Sequence, residues 1–107
     1  MKLVMAIMGK EDSSVVMEVL TEEGFQVTKM ASTGGFLKSG NTTLLIGVDD
    51  NKTNKVIEII SKCSSTRTQL VSSNAFFYPT EISHTPFEVT TGGATIFVLN
   101  VDRFEKV

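Results

Sequence analysis

The stretch from Gly24 to Val48 contains no Asp or Glu, and it carries Lys29 and Lys38 around the string Thr33-Gly34-Gly35-Phe36-Leu37-Lys38-Ser39-Gly40-Asn41-Thr42. Glycines let backbone N–H groups approach a ligand closely, and Thr and Asn side chains supply both donors and acceptors. An exposed Phe36-Leu37 pair can sandwich a planar base. An acid-free, glycine-rich segment of this kind suits an anion with a flat ring attached, which is the chemistry of a nucleotide. The plain alternative is a hairpin loop whose Phe36 packs on the core.

Other residue groups carry less. Lys38-Ser39 after Gly34-Gly35 has the outline of a phosphate-binding loop, but Leu37 stands where that pattern needs glycine. The residues that follow lead into a strand, so no helix N-terminus is available for phosphate and no ATP hydrolysis is expected. Cys63 falls on the apolar stripe of a helix and reads as a structural thiol. His84, in Ser83-His84-Thr85-Pro86, reads as a surface loop residue, and no G-x-S-x-G elbow gives any Ser a nucleophile's geometry. Asp49-Asp50 and Glu22-Glu23 are explained by helix capping and a solvated helix end. No catalytic residue and no metal site is expected.

These groups need a scaffold. The apolar run Leu3 to Met8 reads as a buried strand, too short for a signal peptide core or a membrane span. Asp12 or Ser13 can cap a helix through Val16, Val19 and Leu20 that stops at Gly24. Phe25 to Met30 reads as a strand, Ala31 to Gly40 as a loop and Thr42 to Val48 as a third strand. Asp49-Asp50-Asn51 offers caps for a second helix to about Ser64, with Val56, Ile59, Ile60 and Cys63 inward. Thr66 to Val71 is a further strand and Ser72 to Thr85 is irregular. Phe87 to Val89 and Ala94 to Val101 are extended, with Gly92-Gly93 as a candidate hairpin turn. The order is βαββαβ with an extra C-terminal hairpin, an α+β sandwich of ferredoxin-like type.

Two helices cover one face of a four-stranded sheet. Leu3 to Met8, Leu44 to Ile46 and Ile96 to Leu99 are nevertheless apolar on both faces of their strands. Buried apolar area is worth about 25 cal/mol per Å2, so something is expected to cover the second face, and a homo-oligomer built through its sheets is the simplest cover. Size points the same way. With 107 residues the chain fits a single domain, 1–107, and leaves little volume for a site inside its own core. Its composition, 41% hydrophobic and 21% charged, is that of a globular protein. A formal net charge of −2 gives no basic field for DNA, RNA or an anionic membrane. One Cys and one His exclude a disulfide framework and a single-chain Cys/His zinc site, which fits a reducing, cytoplasmic setting.

The quoted motifs also have a family resemblance. Thr28-Lys29, Ser32-Thr33-Gly34-Gly35-Phe36-Leu37, Ser39-Gly40-Asn41-Thr42-Thr43, Ile46-Gly47-Val48-Asp49-Asp50 and Gly92-Gly93-Ala94-Thr95-Ile96-Phe97-Val98-Leu99 agree in order and spacing. Together they closely resemble the PII-like cyclic-di-AMP receptor proteins of Gram-positive bacteria. The resemblance implies a homotrimer of ferredoxin-like subunits with ligand sites in the inter-subunit clefts and no enzymatic activity. It also implies signalling through mobile loops, near 31–40 and 72–85, to an unknown downstream protein. By position, it implies that Thr28 and Asn41 hydrogen-bond the ligand. Phe36 and Leu37 pack on an adenine, Gly35 and Gly47 offer close backbone approach, and Phe97 lines the cleft. No cofactor beyond cyclic-di-AMP is implied.

The chain departs from the family pattern at Gly24 and Gln26, where members commonly carry Asn and Arg. Gln26 keeps hydrogen bonding and loses a charge suited to phosphate. A glutamine usual near the C-terminus is replaced by Lys106. The alternative function is a PII-like adaptor for another adenine nucleotide, or for a protein partner alone.

Overall fold

A computed structural model describes residues 1–32, 41–71 and 87–107. The expected strand forms as β1 (Lys2–Gly9), and helix α1 (Lys10–Glu22) follows with no intervening loop. β2 (Thr28–Ser32) and β3 (Asn41–Val48) come next, then one turn of 3-10 helix, Asp50–Lys52, and α2 (Thr53–Ser64). β4 (Arg67–Val71), β5 (Phe87–Thr91) and β6 (Ala94–Asn100) complete the order. The ferredoxin-like α+β architecture is as expected: two helices lie on one face of a four-stranded antiparallel sheet ordered β2-β3-β1-β6.

Alternation divides each strand between two faces. Val4, Ala6 and Met8 of β1 and Leu44, Ile46 and Val48 of β3 meet Val16 and Leu20 of α1 and Val56 and Ile60 of α2 in one core. Ile59 and Cys63 pack against it half-buried, as the apolar stripe of α2 predicts. The helices hold to the sheet because their buried positions recur at helical spacing.

The helix N-termini differ from expectation: Asp49, which precedes the 3-10 turn, makes no side-chain cap hydrogen bond, and the N-cap of α2 is Lys52, which makes none either. No side chain caps α1. Its N-cap is Gly9, while Ser13 donates to the Lys10 carbonyl at 2.7 Å and Asp12 turns to Arg67 instead. Because the helix starts three or four residues earlier than the capping pattern suggests, Asp12 and Ser13 lie within its first turn. The C-terminal stop is where Gly24 places it. Gly24 has φ +91°, its N–H donates to the Thr21 carbonyl at 3.0 Å, and the Phe25 N–H donates to Leu20 at 2.9 Å, a Schellman closure. That closure occupies the Phe25 amide, so β2 begins at Thr28 and not at Phe25, although Phe25 and Val27 still pack on the core.

The extra pair of strands sits elsewhere than the Gly92-Gly93 turn suggests. β5 pairs back with β4 to form a separate two-stranded ribbon, and β6 enters the main sheet beside β1. Gly92 and Gly93, at φ +86° and +95°, therefore link two sheets and do not turn a hairpin. A Cβ on Gly92 would come within 2.5 Å of the Ser65 carbonyl oxygen, and one on Gly93 within 2.8 Å of the Thr66 hydroxyl. Two adjacent glycines are what that close crossing requires.

Candidate functional site

The strand registers place the described site residues on one surface. Thr28 stands opposite Leu45, Leu45 opposite Met5, and Met5 opposite Phe97, so these four form a row across the whole sheet. Gly47 pairs with Leu3, which pairs with Leu99. Asn41 pairs with Gly9 at the other end of β3. All of these positions alternate with core residues, so they share the face away from the helices. That face is apolar along its length: Leu3, Met5, Ile7 and Leu45 are half-buried, while Met30, Phe97 and Leu99 are 47%, 43% and 43% exposed.

Within this face Thr28 and Gly47 are brought together. They are diagonal neighbours on paired strands, at a spacing of about 7–8 Å. Gln26 lies two residues before Thr28, ahead of the paired part of β2, and both are exposed. Among the described residues, a Cβ on Gly47 would meet nothing within 4 Å. Neither its backbone conformation nor packing against those residues calls for glycine there. Asn41 lies six residues back along β3 from Gly47, about 20 Å away at strand rise. It is 8% exposed and is flanked by buried Thr42 and Thr43.

Phe97 is not brought to the same place. β2 and β6 are the two edges of the sheet, and three strand spacings put Phe97 about 14 Å from Thr28. Gly35, Phe36 and Leu37 lie outside the described residues, as do the loop segment 33–40 and the segment 72–86. Lys106 is exposed in the tail after β6. The residues that floor the face between the two edges, Met5 and Leu45, belong to no motif. Only the pairing of β1 with both β3 and β6 assigns them to the surface that carries Thr28 and Phe97.

The charges around the site are sparse. Lys29, beside Thr28, alternates to the helix side of its strand and is exposed at the edge. Asp12 in α1 binds Arg67 at 2.8 Å, and its hydrogen bond and charge raise the guanidinium further above its usual range. Among the described residues, no three His, Cys, Asp or Glu side chains come together to hold a metal ion. No described helix is long and apolar enough to cross a membrane.

Comparison with known proteins gives this surface its context. The family model for the cyclic-di-AMP receptor matches residues 1–107, the whole chain. The chain belongs to the cyclic-di-AMP receptor family. Membership in that family places the protein in cyclic-di-AMP signal transduction, in agreement with the resemblance drawn from the Thr33–Thr42 string and the Gly92–Leu99 motif. A crystal structure of a functionally unknown protein from Pediococcus pentosaceus ATCC 25745 is similar to it at 38% identity and a TM-score of 0.82. The match covers 99% of this chain and 96% of that one. The fold of the described residues is thus shared with that structure.

Proposed function

We propose that the protein is a cytoplasmic, non-enzymatic receptor that binds cyclic-di-AMP in clefts between the subunits of a homotrimer. The observation that carries this reading is the separation of Thr28, on the β2 edge beside Gly47 of β3, from Phe97 on the opposite β6 edge of one apolar face. A ligand resting on Thr28 and Gly47 of one subunit meets an aromatic ring most directly when the neighbour's β6 edge stands beside it. Two copies that share their open faces cover apolar surface and complete the ligand's enclosure in one step. Adenine stacking on aromatic and aliphatic side chains then supplies roughly 1–3 kcal/mol per base. The hydroxyl of Thr28 and the amide of Asn41 select polar edges, and the acid-free segment tolerates two phosphates. The segments 33–40 and 72–85 report occupancy to a downstream protein.

Calorimetry with cyclic-di-AMP tests the reading directly. Saturable binding, with about one ligand per chain in a particle of three chains, is the expected result. Absence of binding at high micromolar ligand, with recovery in Gln26→Arg, means that this member has lost the family ligand while keeping its cleft. Absence in both proteins overturns the site. Gln26 itself favours a second reading, an adaptor for another adenine nucleotide, because an uncharged side chain stands where a phosphate contact is expected. Thermal shift with ATP, ADP and AMP separates the two, since a bound ligand stabilises by RT ln(1 + [L]/Kd).

A further inference from the structure

Three stretches of chain converge at the root of the β4–β5 ribbon. The guanidinium of Arg67, the first residue of β4, donates through Nη2 to Asp12 Oδ1 at 2.8 Å and through Nη1 to the Ser65 carbonyl at 3.1 Å. Asp12 lies in the first turn of α1 with its side chain only 11% exposed. Gly92, where the chain leaves β5, passes so close that a Cβ would fall 2.7 Å from Arg67 Nη1, and the Gly93 N–H donates to the Ser64 carbonyl. Both strands of the ribbon therefore join the body at one place, and the Asp12–Arg67 pair ties that place to α1.

The same end of α1 also meets the Asn41 end of the site. Gly9 is at once the N-cap of α1 and the backbone partner of Asn41 in the β1–β3 ladder. With no loop between β1 and α1, a single turn tightened by the Ser13–Lys10 hydrogen bond separates Gly9 from Asp12. One strand pair and one helical turn thus connect Asn41 to the carboxylate that holds Arg67. Releasing Arg67 leaves a largely buried carboxylate without its partner, so joined and released are discrete arrangements of the ribbon.

We propose that the Asp12–Arg67 pair is the joint that couples occupancy at Asn41 to the placement of the β4–β5 ribbon. The proposal rests on reading the Asn41 surface as the cyclic-di-AMP site. Coupling of this kind needs a two-position element that both ends bias, and the joint supplies it.

The test is amide hydrogen exchange of the ribbon, residues 67–71 and 87–91, in the full chain with and without saturating cyclic-di-AMP, with calorimetry on the same samples. Ligand changes ribbon exchange in the wild type. Asp12→Asn and Arg67→Gln each speed ligand-free ribbon exchange about tenfold, leave β1 and β3 protected and still bind ligand, yet their ribbons no longer respond to it. Arg67→Lys, which keeps the charge, recovers most of the response. Should Asp12→Asn fail to fold, the Arg67 variants decide alone, because Arg67 is exposed. Ribbon exchange equal to wild type in these variants overturns the proposal. So does a wild-type ribbon unmoved by ligand that calorimetry shows to be bound. Absence of binding to the wild type instead overturns the reading of the site and the coupling with it, while the ligand-free comparison still decides whether the pair fastens the ribbon.

Discussion

The two faces of the central sheet are built from nearly the same residues and have opposite fates. On the helix side, Val4, Ala6, Met8, Leu44 and Ile46 are fully buried. On the other side, Leu3, Met5, Ile7 and Leu45 are half-buried, and Phe97 and Leu99 are exposed. Apolarity alone does not distinguish a core from a surface awaiting a partner. The difference lies in what stands opposite, two helices in one case and a second copy, as proposed, in the other. Ligand contacts on the open face, as proposed, make binding depend on assembly, whereas the helix face builds the core.

A charge on each face separates these roles most sharply. Leu99→Asp is expected to reduce the particle to single chains at micromolar concentration by light scattering, while circular dichroism retains the folded signal. A truncation on the covered face acts on folding. Ile46→Ala is expected to cost 2–5 kcal/mol in urea unfolding, roughly the range for emptied core sites, and Leu45→Ala, its neighbour on the open face, markedly less in the separated chain.

Ligand contacts offer a finer test of the same contrast. Phe97→Ala is expected to weaken cyclic-di-AMP binding by about 1–3 kcal/mol, and Gly47→Leu to block it by filling the space above β3. Mixing the weakened and the blocked variant then regenerates some full-affinity clefts, because one chain supplies Gly47 and the other Phe97. Mixed particles with no recovered sites in calorimetry show that each chain binds alone.

The smallest effect concerns Gly24. Asn tolerates the left-handed conformation that closes α1, so Gly24→Asn leaves the melting temperature nearly unmoved, while Gly24→Ala costs about 1–2 kcal/mol. The departure from the family pattern at this position is thus answered by backbone conformation and does not demand a lost ligand contact.

Much of this was legible in the sequence, for reasons that can be named. β1, β3, α1 and α2 announce themselves through strand runs, helical spacing and a glycine stop, all of which are local. What depends on partners across the sheet was not. Gly92-Gly93 reads equally well as a hairpin turn or as a link between sheets, and only the pairing of β6 with β1 decides it. Asp12 looks like a cap until Arg67, 55 residues away, takes its carboxylate. Thr28, Asn41, Gly47 and Phe97 are found by motif, but their distribution over β2, β3 and β6 follows from register, which no motif encodes.

The pairing of the first strand with the last also bears on how the protein comes into being. Lys2 stands opposite Asn100, 98 residues along the chain. During synthesis β1 and β3 can meet early, but the edge beyond β1 stays vacant until β6 has left the ribosome. Long-range pairing of this sort slows folding and leaves an unpaired strand available to other chains in the meantime. The open edge that the nascent molecule must guard is the one through which the mature molecule presents Phe97.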